Sequence, residues 1–199
     1  MGKRFGLGAL AAVILVAGIP ALAQQYSDSF TFLKAVKERD AEKVTSMVGE
    51  PGAVVINSRD RSTGETALHY VVRERDYAWL SFLIGKGAKL DSQNNRGETP
   101  LSIASQLGWA EGADLMLRRG ATVDLPNAQG ETPLIHAVHR RDLGLVRLLI
   151  ARGANPKRTD RVAGYSALDY AKQDNRAAPI LKVLEAPQEP VKAVAGPKL

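Results

Sequence analysis

Cysteine is absent from this 199-residue chain. That excludes disulfides, thiolate metal sites and lipid attachment at a processed cysteine, so packing alone must hold the fold. Histidine is scarce, with three copies, which leaves few routes to a metal centre or a catalytic base. The sequence has no Gly-rich phosphate loop and no nucleophile-elbow motif. Blocks of five or six like charges are also missing, so the formal charge of +6 is not gathered into an arm for nucleic acid. No catalytic residue, metal or cofactor is expected, and the chain reads as a non-enzyme.

The first residues differ from the rest. Met1-Gly2-Lys3-Arg4 is basic, and residues 5–19 form an uncharged apolar run that is shorter than the roughly 20 residues of a spanning helix. Pro20 breaks the run, and Ala21-Leu22-Ala23 places small residues where a signal peptidase reads. Residues 1–23 are therefore expected to be a signal peptide cleaved after Ala23, leaving no stable membrane insertion. Its short, alanine-rich make-up points to a bacterial signal and to the periplasm. At the other end, residues 187–199 carry three prolines and little apolar bulk, the composition of a flexible tail.

A repeat lies between these ends. Gly64-Glu65-Thr66-Ala67-Leu68 returns as Gly97-Glu98-Thr99-Pro100-Leu101 and Gly130-Glu131-Thr132-Pro133-Leu134, and more weakly as Gly164-Tyr165-Ser166-Ala167-Leu168. Gly87-Ala88, Gly120-Ala121 and Gly153-Ala154 keep the same 33-residue step. Thr66, Thr99, Thr132 and Ser166 suit helix N-caps, and Pro100 and Pro133 suit the first helical position. Leu68, Val71 and Val72 begin one apolar stripe, matched by Leu101 with Ala104 and by Leu134 with Ala137 and Val138. A second stripe follows at Leu80, Leu83 and Ile84, and again at Ala113-Met116-Leu117, Val146-Leu149-Ile150 and Ile180-Val183-Leu184. Gly87, Gly120 and Gly153 close that second helix. Each period is thus a helix–turn–helix followed by a polar finger.

These residues, with His69 after Thr66-Ala67-Leu68 and the segment 146–155, resemble the ankyrin-repeat family. The resemblance covers about residues 28–186 and implies an all-α solenoid of about five repeats. The boundaries are an N-terminal capping repeat with a long first finger at 24–60, repeats at 61–93, 94–126 and 127–160, and a C-terminal cap at 161–186. Because Ser102, Ile135 and Asp169 stand where His69 does, the family's side-chain network is expected to be complete only in the second repeat. Pro179 is expected to mark the start of the last helix.

The resemblance further implies a monomer that binds a protein partner, with no nucleic acid, through fingers and inner helices. By register that face holds Arg73, Glu74, Arg96, Glu98, Gln106, Leu107, Gln129, His139, Arg140 and Tyr165, with Thr63, Glu65 and Glu131 beside them. Leu107 stands where Glu74 and Arg140 do, and Trp109 where Asp76, Asp142 and Arg176 do. An apolar residue in a charged position reads either as an interface anchor or as local cover of the helix turn. Trp79 aligns with Leu145 and is expected in the core. His136 and His139 are three apart on a helix, but the register places them on different faces, His136 packing between helices and His139 toward the groove. His69 reads as a structural histidine rather than the partner of Ser105 in a hydrolytic set. An alternative ligand is an anionic envelope component such as lipopolysaccharide or cell-wall polymer, met by Arg73, Arg75, Arg118, Arg119, Arg140 and Arg141.

Overall fold

The 33-residue period folds as predicted because each of its local signals acts within one turn of chain. Thr99 and Thr132 accept the backbone N–H of Ser102 and Ile135, Ser166 accepts that of Asp169, and Pro100 and Pro133 open their helices. The computed structural model describes residues 19–49 and 54–186. Within them ten α-helices form five consecutive pairs: α1 (Ile19–Lys37) with α2 (Ala41–Met47), α3 (Ala67–Arg73) with α4 (Tyr77–Gly85), α5 (Pro100–Leu107) with α6 (Ala110–Arg118), α7 (Pro133–His139) with α8 (Leu143–Ala151), and α9 (Ala167–Gln173) with α10 (Ala178–Glu185). A 3-10 helix, Val54–Asn57, lies in the long first finger. Pro179 is the second residue of α10, one step from the expected start. Most of the expected signal, residues 50–53 and the expected tail fall outside the described residues, while α1 runs unbroken past Ala23.

Odd-numbered helices form an inner row and even-numbered helices an outer row. Leu68, Val71, Val72, Leu101, Ala104, Leu134 and Ala137 are fully buried between inner helices, and Leu80, Leu83, Met116, Val146 and Leu149 beneath the outer ones. One member of each outer stripe, Ile84, Leu117, Ile150 or Val183, is only half-buried. Each fully buried Leu-sized side chain contributes about 1.5–3 kcal/mol relative to exposure, and one pair buries little without its neighbours. Trp79 is not core as expected. It is half-buried at the surface, edge-on to Phe82 with ring centroids 5.9 Å apart, under the Arg39 guanidinium.

His69 ties two repeats together. Its Nδ1 accepts from the Thr66 N–H at 3.1 Å, and its Nε2 donates to the Glu98 carbonyl of the next repeat at 3.0 Å. The expectation that only the second repeat completes this network is met for the arm between repeats. It fails for the local arm, which Ser166 and Asp169 also close reciprocally. At the equivalent site in the third repeat the Ser102 hydroxyl is buried without a hydrogen-bond partner among the described residues.

Candidate protein-binding face

The fingers are built on an Asx residue that recurs with the repeat. The Asn94 Oδ1 accepts the N–H groups of Arg96 and Glu98 at 2.9 and 3.0 Å, and Asn127 accepts those of Gln129 and Glu131 at 3.0 and 2.9 Å. Asp160 accepts from Val162, Ala163 and Gly164. Asp60 accepts from Ser62 and Thr63. Such side-chain acceptors replace the backbone partners a tight loop lacks. Successive fingers then bond to one another, Asn95 N–H to Thr63 at 2.9 Å, Ala128 to Arg96 at 2.9 Å and Arg161 to Gln129 at 2.8 Å. Asn94, Asn127, Asp60 and Asp160 were missed as site-building residues, although their spacing in the sequence is the repeat itself.

Two expected groove residues prove to be internal braces. Glu98 is 6% exposed, and its carboxylate accepts from Asn94 at 2.8 Å, Arg96 at 2.9 Å and Gln106 at 3.0 Å. Burial pushes its pKa up, but these donors outweigh burial and hold it below the ordinary glutamate value. Arg73 is committed to Glu65 through two bonds of 2.7 and 2.9 Å and lies 3.5 Å from Glu98, which bridges adjacent fingers. Neither residue is free to serve a partner, because releasing either would strip a half-buried charge of its counter-charge.

Five of the six arginines offered for an anionic ligand are similarly engaged, Arg119 being the exception. Arg39, Arg75 and Arg141 adopt left-handed backbone angles, φ 60°, 52° and 56°, at the turn between inner and outer helices. That conformation costs about 1–2 kcal/mol for a residue with a Cβ. It aims each guanidinium at the following repeat, Arg39 to Asp76 at 3.2 Å, Arg75 to the Leu107 carbonyl and Arg141 to Asp174. Gly108 stands at the matching turn of the third repeat, and Arg140 lies over it, donating to the Gln106 carbonyl at 3.1 Å. Arg118 pairs with Asp114 at 3.0 Å.

Of the two readings of Trp109, interface anchor or cover of the helix turn, the second describes the structure: it is 7% exposed, its ring pressed on Gly112. It covers the helix turn at a position where Asp76 and Asp142 cap their helices and Trp109 does not. Leu107 is half-buried and packs on the core instead of projecting as a charged residue would.

What the stack leaves outward on this face is Glu74, Arg96, Gln129, His139, Arg140 and Tyr165. His139 and Tyr165, the latter 42% exposed, flank Tyr170, with ring centroids 4.3 and 5.6 Å from it. The Tyr170 hydroxyl donates to Asp160, which with burial pushes its pKa up to about 12. His136 is buried, 3.3 Å from Gln106 and 3.9 Å from Glu131. The face therefore has a braced, charged half around Glu98 and an aromatic half around Tyr170.

Burial lowers the pKa of both His69 and His136 below the ordinary value of 6.5, outweighing the carboxylates near each. A folded-state pKa below the unfolded one means the unfolded chain takes up the proton first. Their contribution to stability is thus complete above about pH 6.5 and is lost as pH falls through the lower folded values. The urea midpoint is expected to be level from pH 8 to 7 and to decline from about pH 6.5 downward. In His69→Gln/His136→Gln that decline should flatten, whatever the variant's absolute stability. An equally steep decline in the variant would assign it elsewhere. Glu98, Asp160 and Asp174, whose carboxyls are held below the ordinary range, act in a separate, more acidic window.

A stack of helix pairs joined by fingers that bond in series defines a repeat solenoid whose architecture presents a surface. Two family patterns match the chain, Ankyrin repeats (3 copies) over residues 32–127 and Ankyrin repeats (many copies) over residues 116–171. The chain belongs to the ankyrin-repeat family, whose repeats are typically non-catalytic protein–protein interaction modules. A "Putative ankyrin repeat-containing protein" of Treponema pallidum (strain Nichols) is 38% identical over 113 residues, covering 56% of this chain and 38% of that protein. "Diacylglycerol kinase iota" of Rattus norvegicus is 34% identical over 74 residues, 37% of this chain and 7% of the kinase. "Potassium channel AKT1" of Oryza sativa subsp. indica is 35% identical over 74 residues, 37% of this chain and 8% of the channel. The chain thus spans less than two-fifths of each of these relatives. Among the described residues no helix is long and apolar enough to cross a membrane.

Proposed function

We propose that this protein is an exported, non-catalytic binding module that holds an envelope or periplasmic protein against its inner helices and fingers, as scaffold, inhibitor or stabiliser. The observation that carries this reading is the aromatic half of the face. His139 and Tyr165 remain outward while Glu98, Arg73, Trp109 and the turn arginines are consumed by the fold. Rigid aromatic side chains offer large contact area at small entropic cost, which is why they dominate binding hot spots. Export is supported by the basic start, the short apolar run and Ala21-Leu22-Ala23. The anionic-polymer alternative is weakened, since Arg73, Arg75, Arg118 and Arg141 already have acceptors.

Capture from an envelope extract tests the face. Wild type is expected to retain a partner that Gln129→Ala/His139→Ala/Tyr165→Ala loses by about tenfold or more, the scale of a small hot spot. Equal recovery by the two proteins, with matching circular dichroism, would remove this face from consideration. Fractionation tests export separately: the mature chain should start at Gln24 in the periplasmic fraction, and a cytoplasmic protein retaining Met1 would sink that part.

A further inference from the structure

Beside the N-terminal repeat, α1, the 3-10 helix and the first two fingers enclose a cleft of about 770 Å3. This is the size of a small-molecule site, and none of the outward residues Glu74, Arg96, Gln129, His139, Arg140 and Tyr165 lines it. Its walls are mainly apolar, with Leu33 beneath and Phe30 and Val54 left 71% and 79% exposed. Large apolar side chains gathered in one concavity and facing water mark a place that something else covers.

The rim is mainly basic. Lys34, Lys37, Arg59, Arg61 and Lys89 line the cleft against a single carboxylate, Asp60. Lys37 is engaged by Asp60 at 3.6 Å and lies over the Tyr70 ring, and Arg59 donates to the Gln93 carbonyl. Among the described residues the Lys34 ammonium meets only Glu38, 3.8 Å away on the exposed side of α1, a contact of little strength in water. Lys89 makes no ion pair among the described residues, while its backbone N–H is fixed to Asn57 at 2.8 Å, which anchors the lysine at the cleft. Two cations without strong partners thus stand beside an apolar concavity.

We propose that this cleft binds a single-chain anionic amphiphile. Its hydrocarbon part lies against Phe30, Leu33 and Val54, and its carboxylate or phosphate head is taken by Lys34 and Lys89. A discrete molecule fits better than a membrane surface, which needs a continuous flat apolar face.

Titration of the purified protein with laurate and with dodecyl phosphate, both below micelle formation, tests this, with dodecyl maltoside as the uncharged control. Calorimetry gives affinity, and amide NMR shifts give location. Both anions are expected to bind once per chain, with shifts at residues 29–37, 54–62 and 89, and the preference between them identifies the head group. The maltoside should bind about tenfold more weakly, and Lys34→Glu/Lys89→Glu should weaken the anions by about tenfold or more. Because both lysines are exposed, that variant should keep the wild-type melting temperature. Phe30→Ser, at an exposed position, should weaken all three ligands together. Equal affinity for the maltoside, indifference to the charge reversal, shifts confined to other repeats, or no binding would each overturn the proposal. So would a response only to anionic vesicles, or only to an acidic leucine-bearing peptide.

Discussion

Trp109→Ala is expected to lower the unfolding free energy by about 3–5 kcal/mol, the cost of emptying a buried indole site. In a chain of this length that is a fall in melting temperature of roughly 6–20 °C. The indole occupies a helix-start position where the neighbouring repeats use aspartate, with Asp76 accepting the Trp79 N–H at 3.0 Å and Asp142 that of Leu145 at 2.9 Å. The third repeat forgoes that cap and buries an aromatic ring instead. Trp109→Asp should therefore recover only about 1 kcal/mol of the loss, the worth of the cap. Gly112 makes room for the ring, since a Cβ there would come within 2.3 Å of it. Gly112→Ala is expected to be destabilising by about 1–3 kcal/mol alone and close to neutral beside Trp109→Ala, a coupling that a double-mutant cycle isolates. An interface anchor behaves differently, losing a partner while melting normally. Unchanged melting of Trp109→Ala would return the residue to that role.

The same residue shows what a sequence can and cannot tell. Helix starts at Thr66, Thr99, Thr132 and Ser166, and the apolar stripes behind them, were legible because capping and amphipathicity are decided within a few residues. Trp109 was legible only as a choice between anchor and turn cover, because alignment with Asp76 and Asp142 reports exposure in those repeats, whereas the hollow that receives the indole is made by a glycine one turn on. Glu98 was read as a groove residue from its register. Its burial is imposed jointly by Asn94, Arg96, Gln106 and Arg73, spread over 33 residues of chain. Arg75 and Arg141 read as available charge because nothing local reveals that their backbone turns left-handed and sends them to the next repeat. Helix caps and apolar stripes were predictable; the packing of Trp109 on Gly112, and the arginines and Glu98 that stitch one repeat to the next, were not.

That stitching is most exposed to test at the finger glycines, where the second large effect is expected. Gly97 has φ +72°, and a Cβ on it would sit 2.6 Å from the Ala128 backbone nitrogen; Gly130 has φ +85°, and its Cβ would sit 2.7 Å from the Arg161 nitrogen. Those two nitrogens are the donors of the bonds between fingers, to Arg96 at 2.9 Å and Gln129 at 2.8 Å. Alanine at either site therefore incurs the left-handed penalty of about 1–2 kcal/mol and also pushes the next finger off its bond, adding about 1 kcal/mol or more. Gly87 separates the two terms, because its φ is +89° but nothing lies within 4 Å of an added Cβ. The expected order is that Gly87→Ala costs about 1 kcal/mol, while Gly97→Ala and Gly130→Ala each cost about twice that or more. Gly87→Asn should recover part of its loss, since asparagine tolerates the left-handed region, but Gly97→Asn should not, since its Cβ meets the same backbone. Equal losses at all three glycines in urea titrations would mean that the fingers do not touch as closely as these distances require. In that case the charged half of the binding face, which hangs on finger contact through Arg73 and Glu98, would lose its physical basis as well.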